Sequence, residues 1–409
     1  MDKSKITKRF VYAVTSLTVL IFIIIFTVIT FAIRYQNEAS DETDINHNTE
    51  PNNYNSDVKE ESSSELSTSI FDTTSEDISD IIAEDFSVVS SIEEDIVEDF
   101  EHGWIINEFG YTYVYNGCGY EQFNYKTSAL NRYANALNGF VDLLPESTKI
   151  FSITVPVSST FANIPKEIYV EDNFYNQAQS TFVSTLSTLT NQRITHVTIV
   201  DVLESSYDNG DYVYYRTDKN WTANGAYLAY TKFCESADIS ALPIGSFLKN
   251  TSHGYLGSFY NATKLENMKN AADEFIYYLP NHSVKSSLTV YDNGLIYNNY
   301  SVCGNKINPY SPQNVFLGRD AERYEINTIN DGESLLIVGD ESVYPIIPFL
   351  MSHYKHIDII NPYKFETPFE EFLKNRSYDQ CLLMCYSTNS VSGDYIPTLN
   401  SLTGVFKDE

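Results

Sequence analysis

Basic residues are scarce in this sequence: 26 Lys and Arg stand against 55 Asp and Glu, a formal net charge of −29 over 409 residues. No basic stripe is available to neutralise a phosphate backbone, so nucleic-acid binding is not expected. Cysteine is sparse and odd in number. Cys118, Cys234, Cys303, Cys381 and Cys385 do not make a small secreted disulfide framework. Cys381 and Cys385 share a stretch that reads as one buried strand, where four residues separate their α-carbons by about 13 Å, too far to bridge. Cys118 and Cys303 remain free to pair. The chain has no evident internal repeat, phosphate-binding Gly-rich loop, dinucleotide fingerprint or zinc motif, so no metal or organic cofactor is expected.

What is present is unevenly spread. Phe10 to Ile33 is uncharged and rich in Ile, Val, Phe and Leu, long enough to cross a bilayer, which needs about 20 residues. Lys3, Lys5, Lys8 and Arg9 precede it, which places residues 1–9 in the cytoplasm. The run exceeds a cleavable h-region and Phe31-Ala32-Ile33-Arg34 offers no small-x-small site, so residues 10–33 read as a retained signal anchor. Between Gln36 and Glu101 there are 21 acidic residues and one basic residue, Lys59, so 20 of the 29 net negative charges lie there. Self-repulsion and low hydrophobicity make residues 34–101 a disordered acidic linker. The domain beyond, 102–409, is only mildly acidic, and the organisation is that of a single-pass plasma-membrane protein with an extracellular C-terminal domain. Its Asn-, Tyr- and Ile-rich composition suggests an AT-rich bacterial genome, and a Gram-positive cell surface fits.

Within 102–409 the apolar pattern alternates between periods of two and of about 3.6. A short β region is expected over Trp104–Tyr120, helices over Ser128–Leu144 and Phe174–Leu189, and strands over Lys149–Pro156 and His196–Leu203. Ala223–Glu235 reads as a helix, and about 239–330 as irregular, with strands at Glu274–Leu279 and Ser287–Tyr291. The end alternates cleanly: strand Ser334–Val338, helix Pro345–Tyr354, strand Lys355–Ile360, helix Phe369–Lys374, strand Gln380–Tyr386. Such alternation implies an α/β fold with a mainly parallel sheet covered on both faces. Functional groups in such sheets gather at the carboxyl ends of strands.

Two stretches carry candidate chemistry. The first is Tyr214–Tyr230, YYRTDKNWTANGAYLAY, where Asp218, Lys219, Asn220 and Trp221 precede Thr222, an N-cap for the helix that follows. A carboxylate in a loop fixed by a helix is well placed for catalysis, although a capped helix with an aromatic on its first turn explains the pattern equally. The second is Gly339-Asp340-Glu341-Ser342, directly after a strand, with Pro348-Phe349-Leu350 beyond. A serine nucleophile needs a base, a group orienting that base, and oxyanion donors.

The segment Tyr214–Thr222 with Gly225-Ala226 resembles the signature of the DHHW family, extracellular bacterial proteins named for an Asp-His-His-Trp motif. That family is similar to the SGNH-hydrolase-like domains of alginate O-acetyltransferases, which implies an SGNH-like sandwich here. The resemblance implies an Asp-x-His pair preceding a nucleophilic serine in a Gly-Asp-Ser turn. Here Lys219 and Asn220 replace both histidines. Counting back from Pro348 without a gap puts Glu341 at the nucleophile position, while a one-residue bulge would bring in Ser342. Asn220 cannot take a proton near neutral pH, and Lys219 could do so only if its pKa fell by several units.

The reading is therefore a membrane-anchored SGNH-like protein with a degenerate site, an accessory or glycan-binding module of cell-surface polysaccharide modification. The alternative is an active O-acetyltransferase or acetylesterase using Ser342 and Asp218, with a membrane-bound acyltransferase as acyl donor. A purely structural surface protein is a third reading. Asp218, Asp340 and Glu341 could also serve glycoside hydrolysis if correctly spaced. His253 could enter a cleft from a loop. His353 and His356, three residues apart, could ligate a metal, but no third ligand is apparent.

Overall fold

A computed structural model of the chain describes residues 100–404, apart from 108–109, 282–283, 305–306 and 308–311. The expected anchor at 10–33 and nearly all of the linker at 34–101 lie outside the described residues. Among the described residues no helix is long and apolar enough to cross a membrane.

The chain opens with an antiparallel ribbon of β1 (His102–Asn107), β2 (Gly110–Tyr115) and β3 (Cys118–Tyr120). The main sheet begins with β4 (Lys149–Val155) and β5 (Ile194–His196). Next, β6 (Leu248–Tyr255) and β7 (Asp273–Leu279) pair only with each other. The main sheet then resumes with β8 (Ser286–Asp292), β9 (Leu295–Tyr300), β10 (Arg323–Thr328), β11 (Glu333–Gly339), β12 (Tyr354–Ile360) and β13 (Gln380–Tyr386). Its order is β5-β4-β13-β11-β12-β10-β8-β9. The first five strands are parallel, and β10, β8 and β9 extend the sheet antiparallel.

The central strands are apolar throughout because both faces are covered. On β11, Leu335 and Ile337 join one core while Leu336 and Val338 join the other; on β13, Leu382 and Met384 alternate with Cys381 and Leu383 in the same way. The helix Thr127–Leu143 packs Leu130, Tyr133, Leu137 and Phe140 on one face, and the helix Ala223–Ser236 packs Ala226, Tyr230 and Phe233 on the other. This is a mixed α/β fold with a mainly parallel central sheet. All five cysteines are free thiols.

Four expected elements differ. The strand foreseen at His196–Leu203 stops at His196, and a helix runs over Val200–Asp208, because Val200, Leu203 and Tyr207 meet the core at helical spacing. The helix foreseen from Phe174 starts at Gln179: Phe174 is drawn instead onto Tyr113, with ring centroids 4.2 Å apart. The helix foreseen over Pro345–Tyr354 is a 3₁₀ turn, Glu341–Ile346, and a single helical turn, Ile347–Leu350. Pro345 and Pro348 remove two helix donors there, and Tyr354 opens β12 with its hydroxyl 2.7 Å from Gln380 Oε1. Lastly, the described residues of the region about 239–330 hold five strands, where two were foreseen.

Candidate active site

The two candidate stretches meet above the carboxyl ends of β11 and β13. Gly339 ends β11, and a Cβ there would lie 2.4 Å from the Met384 carbonyl oxygen of β13, so the close approach of the strands requires glycine. Asp340 then turns the chain. Its Oδ1 accepts from Ser342 N–H at 2.9 Å, and its Oδ2 accepts from Tyr386 N–H at 2.9 Å and Asn389 Nδ2 at 2.7 Å. Burial pushes the Asp340 carboxyl up and Glu341 adds to this, while the three donors oppose them.

The Asp218 loop is held from beneath by a second carboxylate. Asp273 on β7 accepts from the Thr217 N–H at 2.8 Å and hydroxyl at 2.6 Å, from Tyr212, and from Arg216 Nε at 3.3 Å. Asp218 is 4% exposed; it accepts from Asn220 N–H at 3.0 Å, from the Tyr255 hydroxyl, and from Ser258 N–H at 3.3 Å and Oγ at 3.2 Å. A Cβ on Gly257 would sit 2.2 Å from the Asp218 Cβ, so only glycine lets this carboxylate pack there. Thr222 caps the following helix, its Oγ1 accepting from Gly225 N–H at 3.4 Å.

Trp221 joins the two halves. Its Nε1–H donates to the Ser342 carbonyl at 3.3 Å, and its backbone N–H donates to the Tyr386 hydroxyl at 3.2 Å. Above it, Lys219 Nζ lies 2.9 Å from Glu341 Oε1, with the side chains 38% and 31% exposed. Burial works against the lysine charge, but Glu341 and Glu121 outweigh it and hold the ammonium pKa above the ordinary lysine value. Lys219 is thus a cation at neutral pH, not a base.

The DHHW protein family model matches residues 19–360. The chain belongs to the DHHW family. Among solved structures it is similar to a DHHW family protein from Eubacterium siraeum, at 21% identity and a TM-score of 0.63, covering 74% of this chain and 99% of that one. It is also similar to Bacillus cereus PatB1 with a sulfonyl adduct, at 14% identity and a TM-score of 0.55, covering 69% of this chain and 98% of that one. No curated protein matches the chain.

In this DHHW protein the motif positions Asp218, Lys219, Asn220 and Trp221 and the turn Asp340-Glu341-Ser342 are brought together. Their side chains are not equally presented. Ser342 is fully buried, and its Oγ has no hydrogen-bond partner among the described residues. The Asn220 Oδ1 likewise has none. Glu341, half-exposed, is the residue of the turn that meets the other loop. Asp218 and Asp340 both spend their oxygens on the scaffold.

The histidines lie elsewhere. His253 is on β6, 77% exposed, with Nδ1 3.2 Å from Glu274. His353 Nε2 meets the Tyr230 hydroxyl at 2.7 Å, and His356 lies between Asn327 at 2.8 Å and Asp358 at 2.9 Å, so the two do not share a ligand. His282 lies outside the described residues. Sequence reasoning missed Gly257 and Ser258, whose signal was the Gly-Ser pair inside Tyr255–Tyr260, and Asn389. It also missed Glu121, for which no sequence signal existed. Burial pushes the Glu121 carboxyl up to about 7; Lys219 opposes this, while Glu341 and Asp218 add to it.

Proposed function

We propose that this DHHW protein is a membrane-anchored, extracellular module of cell-surface polysaccharide modification that has lost serine ester chemistry and acts by binding glycan. The observation that carries the reading is the Lys219–Glu341 pair at 2.9 Å. Glu341 stands where the ungapped family pattern has its nucleophile and Lys219 where it has its first histidine, while Asn220 fills the position of the base. A carboxylate held by an ammonium is not an activated hydroxyl, and the neighbouring hydroxyl, Ser342, is buried away from Lys219-type chemistry and from solvent. The residues around the pair keep the family's frame, which supports retention of a binding surface after the reaction was lost. The apolar run at 10–33 would hold the domain outside the membrane, with the acidic stretch 34–101 as spacer, and a membrane-bound acyltransferase is a natural neighbour.

The test uses the full-length chain in detergent with p-nitrophenyl acetate and a sulfonyl fluoride probe, the latter because PatB1 is known with a sulfonyl adduct. The expected result is no hydrolysis above buffer and no labelling, from protein that melts cooperatively. Hydrolysis abolished by Ser342→Ala, yet kept in Ser187→Ala on a distant exposed helix, would replace this reading with an active acetylesterase or O-acetyltransferase using Ser342.

A further inference from the structure

A cleft of about 510 Å³ is lined by Glu121 and by Thr388, whose neighbour Asn389 donates to Asp340, and therefore adjoins the paired site. Its size falls within the range of about 300–1,000 Å³ typical of ligand clefts. One wall comes from the β1–β2 ribbon. Trp104 stands opposite Tyr113, and Ile106 opposite Tyr111, so the four side chains share one face of the ribbon. The inner end of that face is core: Tyr113 is fully buried against Phe174, and Trp104 packs edge-on to Tyr113 at 5.3 Å. Towards the outer end the same face becomes cleft wall, where Ile106 is 64% and Tyr111 71% exposed. Thr388 and Ser392, just beyond β13, add hydroxyls to the lining. An apolar ring platform with hydroxyl-bearing side chains suits a pyranose, which has an apolar C–H face and polar edges.

The charge balance says more about the sugar. Asp218 and Asp340 are satisfied by neutral donors, and Lys219 is taken by Glu341. Glu121 is half-buried, and its carboxyl makes no hydrogen bond and no ion pair among the described residues. A half-buried carboxyl in the cleft wall, unpaired and beside other acids, suits a positive ligand group.

From this geometry we infer that the cleft binds an amino sugar with a free ammonium group, its ring on the Trp104–Tyr111 wall and its ammonium on Glu121. The inference rests on the glycan-binding part of the proposed function and deepens it. An N-acetylated sugar offers Glu121 no cation, whereas an ammonium makes a charge-assisted hydrogen bond.

The experiment is calorimetric titration of the full-length chain in detergent with a β-1,4-linked glucosamine tetramer and with its fully N-acetylated counterpart. Wild type is expected to bind the amine form about tenfold more tightly, with Glu121→Gln abolishing the preference. Tyr111→Ala, at an exposed position that does not threaten folding, is expected to weaken both ligands while keeping their ratio. Equal binding of the two tetramers, or a preference that survives in Glu121→Gln, overturns the amine inference and leaves glycan binding standing. Binding of the acetylated form alone does the same. If neither tetramer binds, the inference is overturned; if isolated cell-surface polysaccharides also fail to bind, the glycan-binding reading falls with it. Should Glu121→Gln not fold, the wild-type ratio and the Tyr111→Ala result decide between these outcomes.

Discussion

The two loops of the site are built alike and differ in how firmly they are held. In each, a buried aspartate spends both oxygens on the scaffold, and the next residue reaches across the gap: Lys219 after Asp218, Glu341 after Asp340. Asp340 is bound by two backbone N–H groups and an amide, all at or just beyond the carboxyl ends of the central strands β11 and β13. Asp218 is bound by one backbone N–H of its own loop and by Tyr255 and Ser258 of a different segment. The lesson is that the frame of a site and its reactive groups can be separated. The aspartates are bound into the fold, while the residues beside them bond to each other across the gap.

Removing the aspartates is the strongest way to press this comparison. Asp340→Ala leaves the N–H groups of Ser342 and Tyr386 buried without acceptors, at a cost of about 2–4 kcal/mol. Asp218→Ala should cost less, about 1–3 kcal/mol, because Tyr255 and Ser258 are only partly buried and water can replace the carboxylate. Urea unfolding of the two variants measures the order; the reverse order would mean that the motif loop, not the strand-end turn, anchors the site.

A smaller effect should follow pH. The folded Glu121 pKa of about 7 lies above its unfolded value, so the folded state holds that proton more tightly. The associated stability is fully present below about pH 4.5 and lost as the pH rises towards 7. Glu121→Gln removes this dependence and should raise the unfolding free energy at pH 8 by about 1–2 kcal/mol relative to wild type. Melting temperatures of both proteins at pH 5 and pH 8 check it, and parallel pH curves would show that Glu121 is better solvated than its surroundings imply.

The inner parallel strands β4, β11, β12 and β13 were legible in the sequence and the middle of the domain was not, for a physical reason. β11 and β13 are buried on both faces, so Ser334–Val338 and Gln380–Tyr386 are nearly unbroken apolar runs flanked by turns. β6 has one exposed face and Lys, Asn, Thr and Ser along its length, and β10 alternates Arg323, Glu325 and Asn327 with Tyr324 and Ile326, so neither stands out from loop. The site divides in the same way. Asp218 and Trp221 could be read from the family resemblance, and the Gly339-Asp340 turn from its place directly after a strand. The ungapped spacing to Pro348 singles out Glu341 but not its contact with Lys219, and burial of Ser342 depends on the 3₁₀ turn through Pro345. Glu121 and the Trp104–Tyr111 wall reach the site only through tertiary packing, which no local pattern records.

The smallest expected effect concerns the ion pair itself. Lys219 and Glu341 are each about a third exposed, so their attraction is screened and competes with side-chain entropy. A double-mutant cycle of Lys219→Met and Glu341→Gln should give a coupling of about 1 kcal/mol or less, shrinking further in high salt. The four proteins of the cycle, unfolded in urea at low and high ionic strength, measure it. A coupling that small means that stability alone does not keep this pair, and it points back to the cleft, where Glu341 and Lys219 set the charge around Glu121. A coupling of several kcal/mol, unmoved by salt, would instead make the pair a structural fastening between the two loops, with the cleft beside it incidental.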